Sequence, residues 1–153
     1  MPRGCSSQRS LATARDCSWR GHLPTRPHPR VVIISAGPDL IEPGNPITGR
    51  EEYETNSWQL TTIVREIGGV AFRVHSIPDN EEELKDIVED QLVRADLIVV
   101  SGERNDDSFD LITGSLNQLG SVSVVDLELE NSGRFNFGQI GPDKTPVVTL
   151  PGD

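Results

Sequence analysis

Apolar residues recur along the chain with two periods, and the alternation between them predicts the order of elements. Arg30–Ser35 (RVVIIS) is a continuous apolar run, the pattern of a parallel strand buried on both faces. Ala36-Gly37-Pro38 ends it. Asp39 to Glu54 carries the breakers Pro43-Gly44-Asn45-Pro46 and Thr48-Gly49 and shows neither a helical nor a strand period. Loops of this length without structure of their own are uncommon in compact domains and are often functional. Leu60, Ile63, Val64 and Ile67 then fall at i, i+3, i+4 and i+7, predicting a helix that Thr55 or Asn56 caps and Gly68-Gly69 stops. Val70–Val74 reads as the second strand. After Ser76-Ile77-Pro78-Asp79, with Asp79 as the N-cap, a second helix spans Glu81–Val93. Its Leu84, Ile87, Val88 and Leu92 share one face, and its first turn holds three glutamates, as the helix dipole favours.

Asp96–Val100 is the third strand. It ends at Ser101-Gly102, and an acidic loop leads into a helix from Ser108 to Leu119, with Asp110 near its start and Gly120 as its stop. The period then changes to two. Val122, Val124 and Val125 begin a fourth strand, which Leu127 and Leu129 continue with one face wet. Asn131-Ser132-Gly133 turns the chain, and Phe135 and Phe137 alternate with polar residues in a hairpin partner. Gly141-Pro142-Asp143-Lys144 is a further turn, and Pro146–Leu150 a last strand. The order predicts an α/β fold of three layers, with a mostly parallel sheet between helices, ending abruptly as a fragment would.

Composition narrows the function classes. The net charge is −10, but residues 1–30 hold six arginines and one acid, so of the 14 basic and 24 acidic residues eight and 23 are left for residues 31–153. So acidic a body argues against nucleic acid or an anionic membrane as partner. No run approaches the length of a membrane span. Residues 1–29, rich in Arg, Ser, Pro and Gly, read as a disordered basic leader; an organellar transit peptide has the same composition. Both cysteines, Cys5 and Cys17, lie there, so neither a disulfide framework nor a zinc site is indicated, and the reducing cytoplasm is the expected location.

In sheets of this kind ligands sit beyond the carboxyl ends of the strands. Three acids fall there: Asp39, Asp79 and Asp110. Convergent carboxylates suit Mg²⁺, whereas caps and turns account equally for each acid alone. There is neither a phosphate-binding P-loop nor a dinucleotide-binding glycine fingerprint, and His75 is the sole histidine of the body, so a Ser–His–Asp arrangement is not expected. Tyr53 and Trp58 flank the start of the first helix, where packing is the simpler role and stacking on a planar ligand the alternative.

Several separated pieces, in order, resemble a known family: Ser35-Ala36-Gly37-Pro38-Asp39-Leu40, Pro43-Gly44, Tyr53-Glu54-Thr55-Asn56, Pro78-Asp79-Asn80, Ala95–Gly102, Asp110 and Leu150-Pro151-Gly152. Together, over residues 30–153, they are similar to the MoaB/Mog-type molybdopterin-binding domain, in the version found in the molybdopterin molybdotransferases and in the E domain of gephyrin. The resemblance implies a three-layer α/β fold within a longer, dimeric protein, molybdopterin and molybdate as ligands, and Mg²⁺-dependent insertion of molybdate into adenylylated molybdopterin. It assigns Asp39, Asp79 and Asp110 to catalysis and to Mg²⁺, and Ser101, Gly102, Arg134, Pro151 and Gly152 to cofactor binding.

The chain departs from that pattern in two places. Where the family reads Ser-Gly-Gly-Val-Ser-x-Gly, this chain reads Ser101-Gly102-Glu103-Arg104-Asn105-Asp106-Asp107. Two glycines are lost, and like charges near a surface at ~4 Å repel by a few kcal/mol. Where the family has a Lys-Pro-Gly-Lys-Pro turn, Glu130-Asn131-Ser132-Gly133-Arg134 keeps a single cation. The sequence therefore leaves two further readings open beside the transferase domain: a non-catalytic, gephyrin-like scaffold that recruits a protein partner, and a gene fragment.

Overall fold

A computed structural model describes residues 25–75, 77–102, 106–126 and 134–150. The chain-order elements are β1 (Arg30–Ala36), β2 (Leu40–Ile41), β3 (Glu52–Tyr53), α1 (Asn56–Glu66), β4 (Val70–Arg73), α2 (Glu81–Leu92), β5 (Leu97–Gly102), α3 (Asp106–Leu119), β6 (Gly120–Asp126), β7 (Arg134–Ile140) and β8 (Thr145–Leu150). Six strands form one sheet in the order β4-β1-β5-β8-β7-β6. β1, β4, β5 and β8 pair in parallel, while β7 runs antiparallel to both its neighbours, so the sheet is mostly parallel as the sequence predicts.

The layers follow from which side chains need covering. Val32, Ile34, Ile98, Val100 and Val147 point to the face carrying α2 and α3, where Leu84, Val88, Ile112 and Leu116 close a core of fully or almost fully buried residues. Val31, Ile33 and Val99 point to the other face, where Leu60 and Val64 of α1 pack on them. Along β1 the burial is continuous from Val31 to Ala36, which explains why its sequence shows no alternation.

The structure differs from the sequence reading in several particulars. Asp39–Glu54 is not without structure: Leu40 and Ile41 pair in parallel with Glu52 and Tyr53 as a separate two-stranded sheet too short to leave a periodic signal. The second helix is capped by Asn80, not Asp79. The Asn80 side chain accepts a hydrogen bond from the Glu83 N–H at 2.9 Å, and Asp79 instead accepts from the Asn80 amide at 2.8 Å. Asn80→Ala is expected to destabilise the fold by about 1 kcal/mol, read from a urea titration. Thr55 holds the N-cap position of α1 without a capping hydrogen bond from its side chain. α3 starts at Asp106, which places Asp110 at its fifth residue, in the second turn.

The first helix is rotated from the face its apolar period predicts. Leu60 and Val64 pack on the sheet, but Ile63 is 51% and Ile67 71% exposed, and Ser57 and Thr61 are buried in their place. The helix does stop where predicted. Gly68 takes φ +88°, and the Gly69 N–H bonds the Val64 carbonyl at 2.8 Å. The leader through residue 24, Glu103, Leu127, Leu129, the turn at Asn131-Ser132-Gly133, and Pro151-Gly152 lie outside the described residues.

Candidate functional site

The sheet reverses its winding between β1 and β5. The chain leaves β1 through α1 on one face toward β4, and leaves β5 through α3 on the other face toward β6. The connections leaving these two paired strands therefore turn to opposite faces, and the crevice beyond the strand ends is the place where open α/β sheets hold ligands. Ser35 and Ser101 lie side by side at its floor, as do Ala36 and Gly102. The amide of Asn56, the first residue of α1, donates to the Ser101 hydroxyl at 3.3 Å and spans the crevice. On the α3 side the backbone of Gly102 is tightly approached: a Cβ there would lie 2.7 Å from Cδ1 of Ile112.

The loops after β1 and β4 meet at this edge, where the Gly37 N–H bonds the Pro78 carbonyl at 3.1 Å. That contact brings the segments bearing Asp39 and Asp79 together. Asp39 is half-buried, and its carbonyl accepts the Glu52 N–H at 2.8 Å; Asp79 and Asp110 are exposed. Among the described residues no three His, Cys, Asp or Glu side chains gather into a group able to hold a metal ion. The three aspartates share an edge of the sheet but do not form a preassembled ligand set, so the arrangement does not fit a protein-built Mg²⁺ cage. Arg134 opens β7 at the same edge, with its guanidinium 4.4 Å from the Phe109 ring on α3.

The strongest interactions at this edge centre on Glu54, which the sequence reading placed only within the Tyr53–Asn56 piece, and on Arg73, which it did not single out. Glu54 is 2% exposed. One of its oxygens accepts from the Ser35 hydroxyl at 2.9 Å and the Ser57 N–H at 2.7 Å; the other accepts from the Ser57 hydroxyl at 2.6 Å and from Arg73 Nη2 at 3.0 Å. Arg73 also donates to Ser57 and Glu42, lies 3.0 Å from Nδ1 of His75, and stacks on Trp58 at 4.4 Å. Burial pushes the Glu54 carboxyl up, but the hydrogen bonds from Ser57, Arg73 and Ser35 outweigh it and hold the group below its ordinary value. Glu54 thus stands in for the missing α1 cap and ties together β1, α1 and β4. Trp58 and Tyr53, expected to pack, are 52% and 44% exposed. Trp58 serves as the face for Arg73, and the Tyr53 hydroxyl bonds the Asn45 carbonyl at 2.9 Å. The available signals were an arginine closing an apolar strand and an acid just ahead of a helix.

The fold and this crevice define an α/β domain with a ligand edge at its winding reversal. No protein-family model matches the chain. It is 31% identical over 137 residues to molybdopterin molybdenumtransferase 2 of Mycobacterium tuberculosis, an alignment covering 86% of this chain and 33% of that protein. Molybdopterin molybdenumtransferase 1 of the same organism is 28% identical over 132 residues, covering 86% of this chain and 31% of the relative. The structure of the molybdopterin biosynthesis protein MoeA from Pyrococcus horikoshii superimposes with a TM-score of 0.70 at 29% identity, over 82% of this chain and 30% of that one. The chain is therefore MoeA-like in sequence and in fold, and it spans about a third of the length of the curated relatives it matches. A Thermoplasma acidophilum CinA structure, at 15% identity and a TM-score of 0.57, shares the fold over 89% of its own chain.

Proposed function

We propose that this chain is a molybdopterin-binding domain of molybdotransferase type, acting in molybdenum cofactor biosynthesis, and that its ligand lies across the crevice between β1 and β5. The observation that carries the reading is the coincidence of the Ser101-Gly102 strand end with the winding reversal, in a chain aligned over 86% of its length with a molybdopterin molybdenumtransferase. Ser101, oriented by Asn56, supplies a hydroxyl at the floor of the crevice. Gly102 ends β5 beside the start of α3, and a helix N-terminus favours phosphate. Arg134 contributes the cation at this edge. Pro151 and Gly152, which follow β8, complete the set of residues assigned to the cofactor. Asp39, Asp79 and Asp110 are the residues that would hold Mg²⁺ arriving with the ligand, and the ion would offset the ligand's negative charge. On this reading the chain acts in the cytoplasm, as a homodimer or with a protein partner.

The acidic stretch Glu103–Asp107 sets its charge against that ligand and favours a second reading, a scaffold domain that keeps the fold and binds a protein partner. Titrating the full chain with molybdopterin, with and without Mg²⁺ and molybdate, separates the two. Saturable micromolar binding is the expected result, with a gain on replacing Glu103 and Asp107 together by glycine. No binding at high micromolar ligand in either form would overturn the transferase reading.

A further inference from the structure

A second cavity, of about 560 Å³, opens at the other end of the sheet. It lies between the last turns of α2 and α3 and the turn that joins β7 to β8. Glu89, Leu92 and Val93 of the α2 end, Leu119 of α3, and Pro142 and Asp143 of the turn line it. Thr145, at the start of β8, also faces it, whereas the crevice lies beyond the carboxyl ends of the parallel strands. At ~3.3 Å per residue, the six residues of β8 separate the two by roughly 17 Å.

The walls are preformed. The Gly141 N–H bonds the Leu119 carbonyl at 3.0 Å and fixes the turn to the end of α3. Gly141 takes φ +72°, and a Cβ there would lie 2.7 Å from Cδ1 of Leu92, so the turn sits against α2 as closely as glycine allows. Between these walls the surface is largely apolar, and Val93 presents its side chain with 88% of its area exposed.

Every charge lining the cavity has one sign. Two helices end here, each carrying about half a negative charge at its carboxyl end, and neither has a basic residue in its last turn to offset it. The Glu89 and Asp143 carboxylates make no hydrogen bond or ion pair with another side chain among the described residues. Lys85 and Lys144, near them in sequence, do not line the cavity. An apolar chamber whose lining carries charge of negative sign alone selects a ligand with an apolar body and a cationic head.

We propose that this cavity binds a small organic cation, a guanidinium or ammonium group on an apolar stem, with the head between Glu89 and Asp143 and the stem against Leu92, Val93 and Pro142. The site is separate from the molybdopterin crevice and does not depend on it. The test uses the full chain and three probes of one shape: benzamidine as the cation, benzamide as the neutral isostere and benzoate as the anion. Benzamidine is expected to shift the backbone amide resonances of Val93, Gly141 and Asp143 saturably, and to bind about tenfold more tightly than benzamide. Glu89→Gln with Asp143→Asn should weaken it by about tenfold, as two partly screened ion pairs are removed. Val93→Ser should weaken it about threefold, because the stem then buries less apolar surface. Glu89, Asp143 and Val93 are all exposed, so the unliganded spectra of the variants should match the parent away from the substitutions. Equal binding of benzamide or benzoate, unchanged affinity in the double variant, or absence of shifts at these three amides would overturn the proposal.

Discussion

Replacing Glu54 with glutamine is expected to lower the free energy of unfolding by about 3 kcal/mol, and to do so less at low pH than at neutral pH. Removing one partner of a buried ion pair leaves the other charge uncompensated, at roughly 3–5 kcal/mol. The low end applies here because Glu42 still contacts Arg73, and a glutamine oxygen keeps part of the bonding to Ser57 and Ser35. The pH dependence has a definite sign. The folded-state pKa of Glu54 lies below its unfolded value, near 4.5, so its stabilisation is complete above pH 4.5 and is lost as pH falls through the folded-state value. The parent should therefore lose stability on acidification faster than Glu54→Gln, and the two should converge. Urea titrations of both proteins at pH 7 and at two points below 4.5 measure the difference. A constant gap across that range would show that the carboxylate does not carry the charge the network implies. A gap below about 1 kcal/mol at pH 7 would show that Arg73 finds equal compensation elsewhere.

That network also marks the limit of what sequence pattern can give. Continuous apolar runs at β1 and β5, and glycine stops after α1 and α3, are local signals, and each predicted an element within a residue or two of where it stands. The strand ends followed from the elements, so the edge carrying Ser101, Gly102 and Asp79 was legible in the sequence. The pairing of Glu54 with Arg73 was not, because the residues are 19 apart and meet only once α1 has been laid across the sheet. Nor was the convergence of Asp39, Asp79 and Asp110 decidable from spacing: sharing a sheet edge fixes their level along the strands, not the directions of their side chains. The second cavity was hidden for a related reason. It is made by three chain segments meeting at element ends, where residues carry no period at all.

The same rotation of α1 separates two groups of isoleucines that sequence treats alike. Ile98→Ala is expected to cost about 3 kcal/mol, whereas Ile63→Ala and Ile67→Ala should each change stability by no more than about 0.5 kcal/mol. Ile98 lies on β5 between Val32 of β1 and Val147 of β8, is completely buried, and belongs to the core beneath α2 and α3. Truncating it removes buried apolar surface and leaves a cavity that flanking strands, held by ladders on both sides, cannot collapse to fill. Ile63 and Ile67 are the half of the predicted apolar stripe left outside, while Leu60 and Val64 pack on the sheet and Ser57 and Thr61 face inward, because Glu54 and Arg73 bind Ser57 from two sides and fix the helix about its axis. At Ile63, on an exposed helical face, alanine has the better intrinsic propensity by a few tenths of a kcal/mol, which offsets the small decrease in apolar burial, and Ile67 at the C-cap is 71% exposed. Urea titrations of the three variants test both halves at once. A loss of 2 kcal/mol or more at Ile63 would mean that α1 turns its apolar stripe to a surface it does not meet in this structure. In that case the buried polar pair, rather than the isoleucines, would be the part displaced.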